Sequence, residues 1–118
     1  MSISREDINQ QKVDFTDVAS GRRLAPVHPG EILRHEFLDP LGISAYELAS
    51  AIKVPRSRAN DIARGCRAVT PDTALRLARY FGTSAEFWVR LQAMYDLDVA
   101  ERTLRKEIDK EVSPRAAA

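Results

Sequence analysis

Very little in this sequence of 118 residues points to covalent or metal chemistry. It holds one cysteine, Cys66, so no disulfide can form within the chain, and a reducing compartment suits it. Its two histidines, His28 and His35, stand seven positions apart with no cysteine nearby and no third spaced ligand, which is not a metal-binding pattern. Solvated or capping roles fit them better. The chain also lacks a phosphate-cradling glycine loop, a nucleophile beside a placed base and a pair of carboxylates on one helical face, so neither an enzyme nor a bound cofactor is expected. No apolar run reaches the length of a signal-peptide core or a membrane span, and the location expected is cytoplasmic, with no membrane partner. The net charge is only +1, which argues against a nonspecific coat for nucleic acid.

What the chain does have is 44% apolar and 30% charged residues, the balance of one soluble domain with a modest core. Its charge is unevenly spread. Residues 31 to 52 carry Glu31, Glu36, Asp39 and Glu47 against Arg34, a balance of minus three. Residues 53 to 76 carry Lys53, Arg56, Arg58, Arg64, Arg67 and Arg76 against Asp61 and Asp72, a balance of plus four. Positive charge gathered on one stretch is the footprint of a specific duplex binder.

That stretch belongs to Ser44 to Gly65, which reads as two short helices and a tight turn. Ser44 and Glu47 have the spacing of a capping box, in which each side chain satisfies the other residue's backbone N–H. Leu48, Ala49 and Ile52 then share one face. Lys53 and Val54 make the turn, and Pro55 suits the first position of the second helix. Ala59, Ile62 and Ala63 fall on the inner side of that helix, while Ser57, Asp61 and Arg64 lie opposite with Arg58 and Asn60 beside them and Arg56 at the tip. Small residues at positions 49 and 59 allow a close, steep crossing. Gly65 can close the second helix in the left-handed conformation. Any helical hairpin would share the inner face. The outer face decides between them, because a solvated face mixes glutamate with lysine, whereas arginine, asparagine and aspartate are the groups that read guanine, adenine and cytosine edges in a major groove.

The flanks are helical too, and the fold class expected is all-α, a compact five- to six-helix bundle behind an N-terminal arm. Residues 1 to 27 read as that arm, partly disordered, with Val13, Phe15 and Val18 able to make a short strand or turn on a partner. The domain is expected over residues 28 to 112, with a disordered tail at 113 to 118. Its first helix starts near Pro29, faces Ile32, Leu33, Phe37 and Leu38 inward and ends at Asp39, Pro40 and Gly42. A helix capped by Thr70 presents Ala74, Leu77, Ala78 and Phe81 to the core and stops at Gly82. Another, capped by Ser84, carries Phe87, Trp88, Leu91 and Tyr95, read as core rather than as a ligand pocket. A last helical stretch spaces Leu97, Ala100, Leu104 and Ile108 along a stripe too thin to be satisfied within one small monomer, which suggests a second copy.

With these residues in view the chain resembles the HigA-type antitoxins, the VapI branch of the Cro/C1 (XRE) helix-turn-helix family, whose fold is of the lambda-repressor-like DNA-binding type. HPGEIL at 28 to 33, the hairpin, the run from Gly65 through Arg67 to Thr70, TALRLARYFG at 73 to 82 and SAEFWVRLQAMYDL at 84 to 97 carry the likeness, over roughly residues 28 to 101. It implies two roles. One is to bind and neutralise a small HigB-type toxin, a ribosome-dependent mRNA endonuclease of the RelE superfamily, and the other is to repress the chain's own operon as a homodimer on double-stranded operator DNA. By the same likeness Arg56, Ser57 and Asp61 match base-reading positions with Arg58 and Asn60 nearby, Arg64 matches a backbone-contacting one, and Ser44 puts a helix N-terminus on a phosphate, joined by Arg67. Pro55 and Arg58 depart from the Ser and Thr common among relatives. Asp61 would repel phosphate, so it either reads cytosine or pairs with an arginine such as Arg58 or Arg64. The alternatives are a stand-alone repressor without a toxin and a protein-interaction module that has lost DNA binding.

Overall fold

The first helix, α1, is capped by His28, whose Nδ1 accepts the N–H of Gly30 at 2.8 Å. In the computed structural model, which describes residues 25–115, α1 is a composite of an α-helical turn Pro29–Ile32, a π-helical stretch Leu33–Leu38 and an α-helical turn Asp39–Leu41. The expectation that Asp39 and Pro40 end it is corrected. The helix passes through Pro40 and stops at Gly42, whose φ is 67°. Pro40 has no N–H for the carbonyl four residues back, and its ring crowds that carbonyl. The π-helical stretch before it, with the Asp39 N–H donating to the Arg34 carbonyl, widens the coil and relieves both problems.

Local chemistry sets the next three helices. Helix α2, Ala45–Ile52, starts with the full capping box, Ser44 Oγ accepting from Glu47 N at 3.1 Å and Glu47 Oε1 from Ser44 N at 2.8 Å. Helix α3, Arg56–Ala63, starts one residue later than the sequence suggests, with Pro55 as its extended N-cap instead of its first residue. Between them Lys53 sits at φ 63°, the sole non-glycine residue with positive φ among those described. Helix α4, Pro71–Phe81, is capped by Thr70 and ended by Gly82 at φ 79°. The last helix, α5, spans Ala85–Glu111 and is capped by Ser84. The sequence pattern predicts two separate helical stretches here. One continuous helix forms because no glycine or proline falls between Gly82 and Pro114, and nothing else in the segment removes a backbone bond.

Among the described residues there are thus five helices and no strand. Leu33, Leu48, Ile62, Leu77 and Trp88 are almost wholly buried at their common centre, with Ala49, Ala59, Ala63 and Ala74 at the close approaches. Each of the larger side chains contributes about 1.5–3 kcal/mol of burial. Trp88 settles its one polar atom by donating from Nε1 to Thr83 Oγ1 at 2.8 Å, and the rings of Phe37, Phe81 and Phe87 surround it. Beyond Tyr95 the long helix leaves this core, and Leu97, Leu104 and Ile108 are exposed. The residues proposed for the arm lie outside the described part as far as residue 24, as do 116–118 of the tail.

Candidate nucleic-acid interface

Helix α3 is held on three sides and open on the fourth. Its inner side is buried through Ala59, Ile62 and Ala63. At its C-terminal end Gly65 (φ 81°) lets the chain turn back, with Gly65 N donating to Ile62 O at 3.0 Å and Cys66 N to Asp61 O at 2.8 Å. Arg34, reaching from α1, donates from Nη1 to Ala63 O at 2.7 Å and so satisfies a terminal carbonyl with a cation, as the negative end of a helix favours. Gly30 makes this approach possible, because a Cβ there would overlap the Ile62 carbonyl oxygen.

The N-terminal end is fastened differently. Arg58 Nη1 lies 2.9 Å from Asp72 Oδ2, the first-turn carboxylate of α4, and Arg76 Nε reaches the same oxygen at 3.1 Å. Arg76 then donates from Nη1 to the carbonyls of Ile52 (2.9 Å) and Lys53 (3.4 Å), closing the end of α2. One carboxylate therefore ties α3 to α4, and one arginine ties α4 to α2. The Arg76 hydrogen bond first, and Arg58 after it, hold the Asp72 carboxyl below the usual carboxylate range.

The loop after α3 is also fixed. Gln92 of α5, buried, accepts the Val69 N–H at Oε1 (2.7 Å) and donates from Nε2 to Asp96 (2.9 Å). His28 is buried with its ring edge-on to Tyr95 at 4.9 Å between centroids. Burial pushes its imidazole below the ordinary histidine range, against opposing pulls from the Arg67 backbone and from Asp96 and Glu31.

On the open side Arg56, Ser57 and Asn60 are exposed, with Arg64 and Arg67 exposed just past the helix. Arg58 and Asp61 are half-buried. The pairing left open for Asp61 goes to Arg67 (3.5 Å) and more loosely to Arg64 (4.0 Å). Arg58 points the other way, to Asp72. Ser44 is exposed at the start of α2, its hydroxyl taken by the Glu47 N–H. Cys66, free and exposed, has its Sγ 3.9 Å from the Arg64 carbonyl oxygen. Arg34, Arg76 and Gln92 were not anticipated as the fastenings of this face. The spacing of Asp72 and Arg76 hints at their pair, but nothing local signals a bond that spans 29 residues from Arg34 to Ala63.

Two short helices joined by a tight turn, the second presenting a polar face, define the helix-turn-helix class, and residues 35–88 match the family model described as Helix-turn-helix. Virulence-associated protein I of Dichelobacter nodosus is 51% identical over 86 residues, covering 72% of this chain and 80% of that protein. The antitoxin HigA of Pseudomonas aeruginosa, solved with the higBA promoter, superposes with a TM-score of 0.74 at 49% identity over 75% of this chain and 97% of its own. The antitoxin GraA in complex with its operator gives 0.75 at 42% identity over 80% and 95%. The chain belongs to the HigA-type antitoxins, the VapI branch of the Cro/C1 helix-turn-helix family. That family is one of DNA-binding regulators and antitoxins, not of enzymes.

Proposed function

We propose that this chain is the antitoxin of a type II toxin-antitoxin pair, which neutralises a HigB-type mRNA endonuclease by direct binding and represses its own operon in the cytoplasm. The observation that carries the repressor half is a short helix, α3, whose inner side is buried and whose ends are bonded to α1 and α4 while Arg56, Ser57 and Asn60 face outward. A helix with groups of that kind can be laid in a major groove, with Arg56, Ser57 and Asp61 at the base-reading positions, Arg58 and Asn60 beside them, and Ser44, Arg64 and Arg67 against the phosphates. One such helix spans too few base pairs for useful specificity. A two-fold homodimer placing two copies of α3 about 34 Å apart on a palindrome supplies the rest.

The antitoxin half assigns the toxin to the N-terminal arm or to α1, away from the basic face, because residues 31 to 52 are net acidic and a HigB-type toxin is expected to be basic. The test uses the DNA upstream of the chain's own reading frame. Wild-type protein is expected to retard it as a dimer on a palindromic footprint and to co-purify with the small basic protein encoded next to it. A monomer saturating a non-palindromic site would overturn the operator model, and undiminished toxin capture by a variant lacking residues 1–25 would remove the arm from toxin binding.

A further inference from the structure

We infer that Tyr46 is a positioning residue for base readout: it holds the Arg56 guanidinium by its flat face and leaves the N–H edge free for a guanine. The inference rests on the DNA-reading function proposed above. Arg56 Cζ lies 4.7 Å from the centroid of the Tyr46 ring, across the turn between the start of α2 and the start of α3. Tyr46 is 60% exposed and takes no part in the core, so burial does not account for an aromatic ring there.

The neighbouring arginines are held in another way. Arg58 gives an N–H to Asp72, and Arg64 and Arg67 are drawn toward Asp61, so each has part of its donor edge directed at a carboxylate. Arg56 has no carboxylate partner among the described residues. Bidentate recognition of guanine O6 and N7 needs two in-plane N–H groups at once. A carboxylate would compete for them, whereas a ring engages the face of the cation and limits its rotamers without occupying any donor. Tyr46 thereby reduces the side-chain freedom that Arg56 would otherwise lose on binding.

An exposed cation-ring contact translates into an effect of about two- to fivefold on operator affinity. The experiment measures binding of full-length wild type, Tyr46→Leu, Tyr46→Phe, Arg56→Ala and the Leu/Ala double variant to the operator, to an operator library and to scrambled DNA, with circular dichroism on each protein. Tyr46→Leu is expected to lower operator affinity about two- to fivefold and to relax the same base position that Arg56→Ala relaxes. Tyr46→Phe should bind as wild type, and the double variant no more weakly than Arg56→Ala alone. If the Tyr46→Leu and Arg56→Ala losses simply add, if scrambled DNA loses equally, or if Tyr46→Phe loses as much as Tyr46→Leu, the ring is not positioning Arg56. Should Tyr46→Leu lose helix, Tyr46→Gln at the same position repeats the comparison. A wild type that does not prefer its operator to scrambled DNA would instead sink the DNA-reading function itself, and this inference with it.

Discussion

Substituting Gly30 by alanine tests the packing that orients α3. A Cβ at this position overlaps the Ile62 carbonyl oxygen and lies 3.1 Å from that of Ala63, and both obstacles are backbone. Neither can rotate away, so α1 and α3 must separate by on the order of 1 Å to recover van der Waals contact. Overpacking of this kind costs about 1–3 kcal/mol. The separation also lengthens the bond from Arg34 to Ala63 O, now 2.7 Å, and hydrogen bonds from charged donors are worth about 1.5–3 kcal/mol. Against this stands the better helix propensity of alanine, about 1 kcal/mol at most. The balance is a loss of about 2 kcal/mol or more, a fall in Tm of roughly 8–16 °C at the sensitivity typical of a small domain. Thermal melting followed by circular dichroism measures it, and a parallel gel shift should show weaker operator binding because α3 is no longer seated. A Tm equal to or above wild type would mean that propensity alone is acting and that the contact between α1 and the end of α3 is not as tight as described.

Other residues give further tests. Lys53→Gly should raise stability by about 0.5–1 kcal/mol in urea denaturation, since φ 63° is strained for lysine and free for glycine; a loss would show that the lysine side chain contributes more than its backbone costs. Arg67→Ala and Arg64→Ala should weaken binding to all duplexes and lower the salt slope by about one, whereas Arg56→Ala should cost about 1–3 kcal/mol and relax one base position, so identical profiles across an operator library would contradict the division of roles. His28 has its folded-state pKa pushed below the ordinary value near 6.5, so the unfolded chain takes up the proton first as pH falls. Its contribution is complete above about pH 6.5 and is lost below it, as the folded pKa is passed. Urea midpoints between pH 7.5 and 5.5 should therefore slope less for His28→Asn, which keeps an uncharged cap, than for wild type.

Helix ends and buried stripes are legible in the sequence alone. Ser44 with Glu47, Thr70 with Pro71, and Gly65 and Gly82 announce helix ends because the groups they satisfy lie within a few residues. The alanine and leucine stripes of α2, α3 and α4 follow from period alone. Legibility failed where a competing local signal was answered by geometry. Pro40 reads as a stop, yet a π-helical stretch carries the helix past it, and the thinning stripe after Tyr95 reads as a new element although no breaker interrupts the chain.

The order of helices and the choice of outward groups on α3 were therefore decided by the sequence itself, since capping, periodicity and side-chain size act over one or two turns. Which arginine meets which acid was decided only in three dimensions. Arg58 has Asp61 three positions away and takes Asp72 fourteen away, Asp61 turns to Arg67, and Arg34 reaches from α1 to the end of α3. Such choices depend on where the packed helices leave room for a guanidinium, and the close approach of Gly30 to the Ile62 carbonyl, which sets that spacing, exists only once α1 and α3 have met.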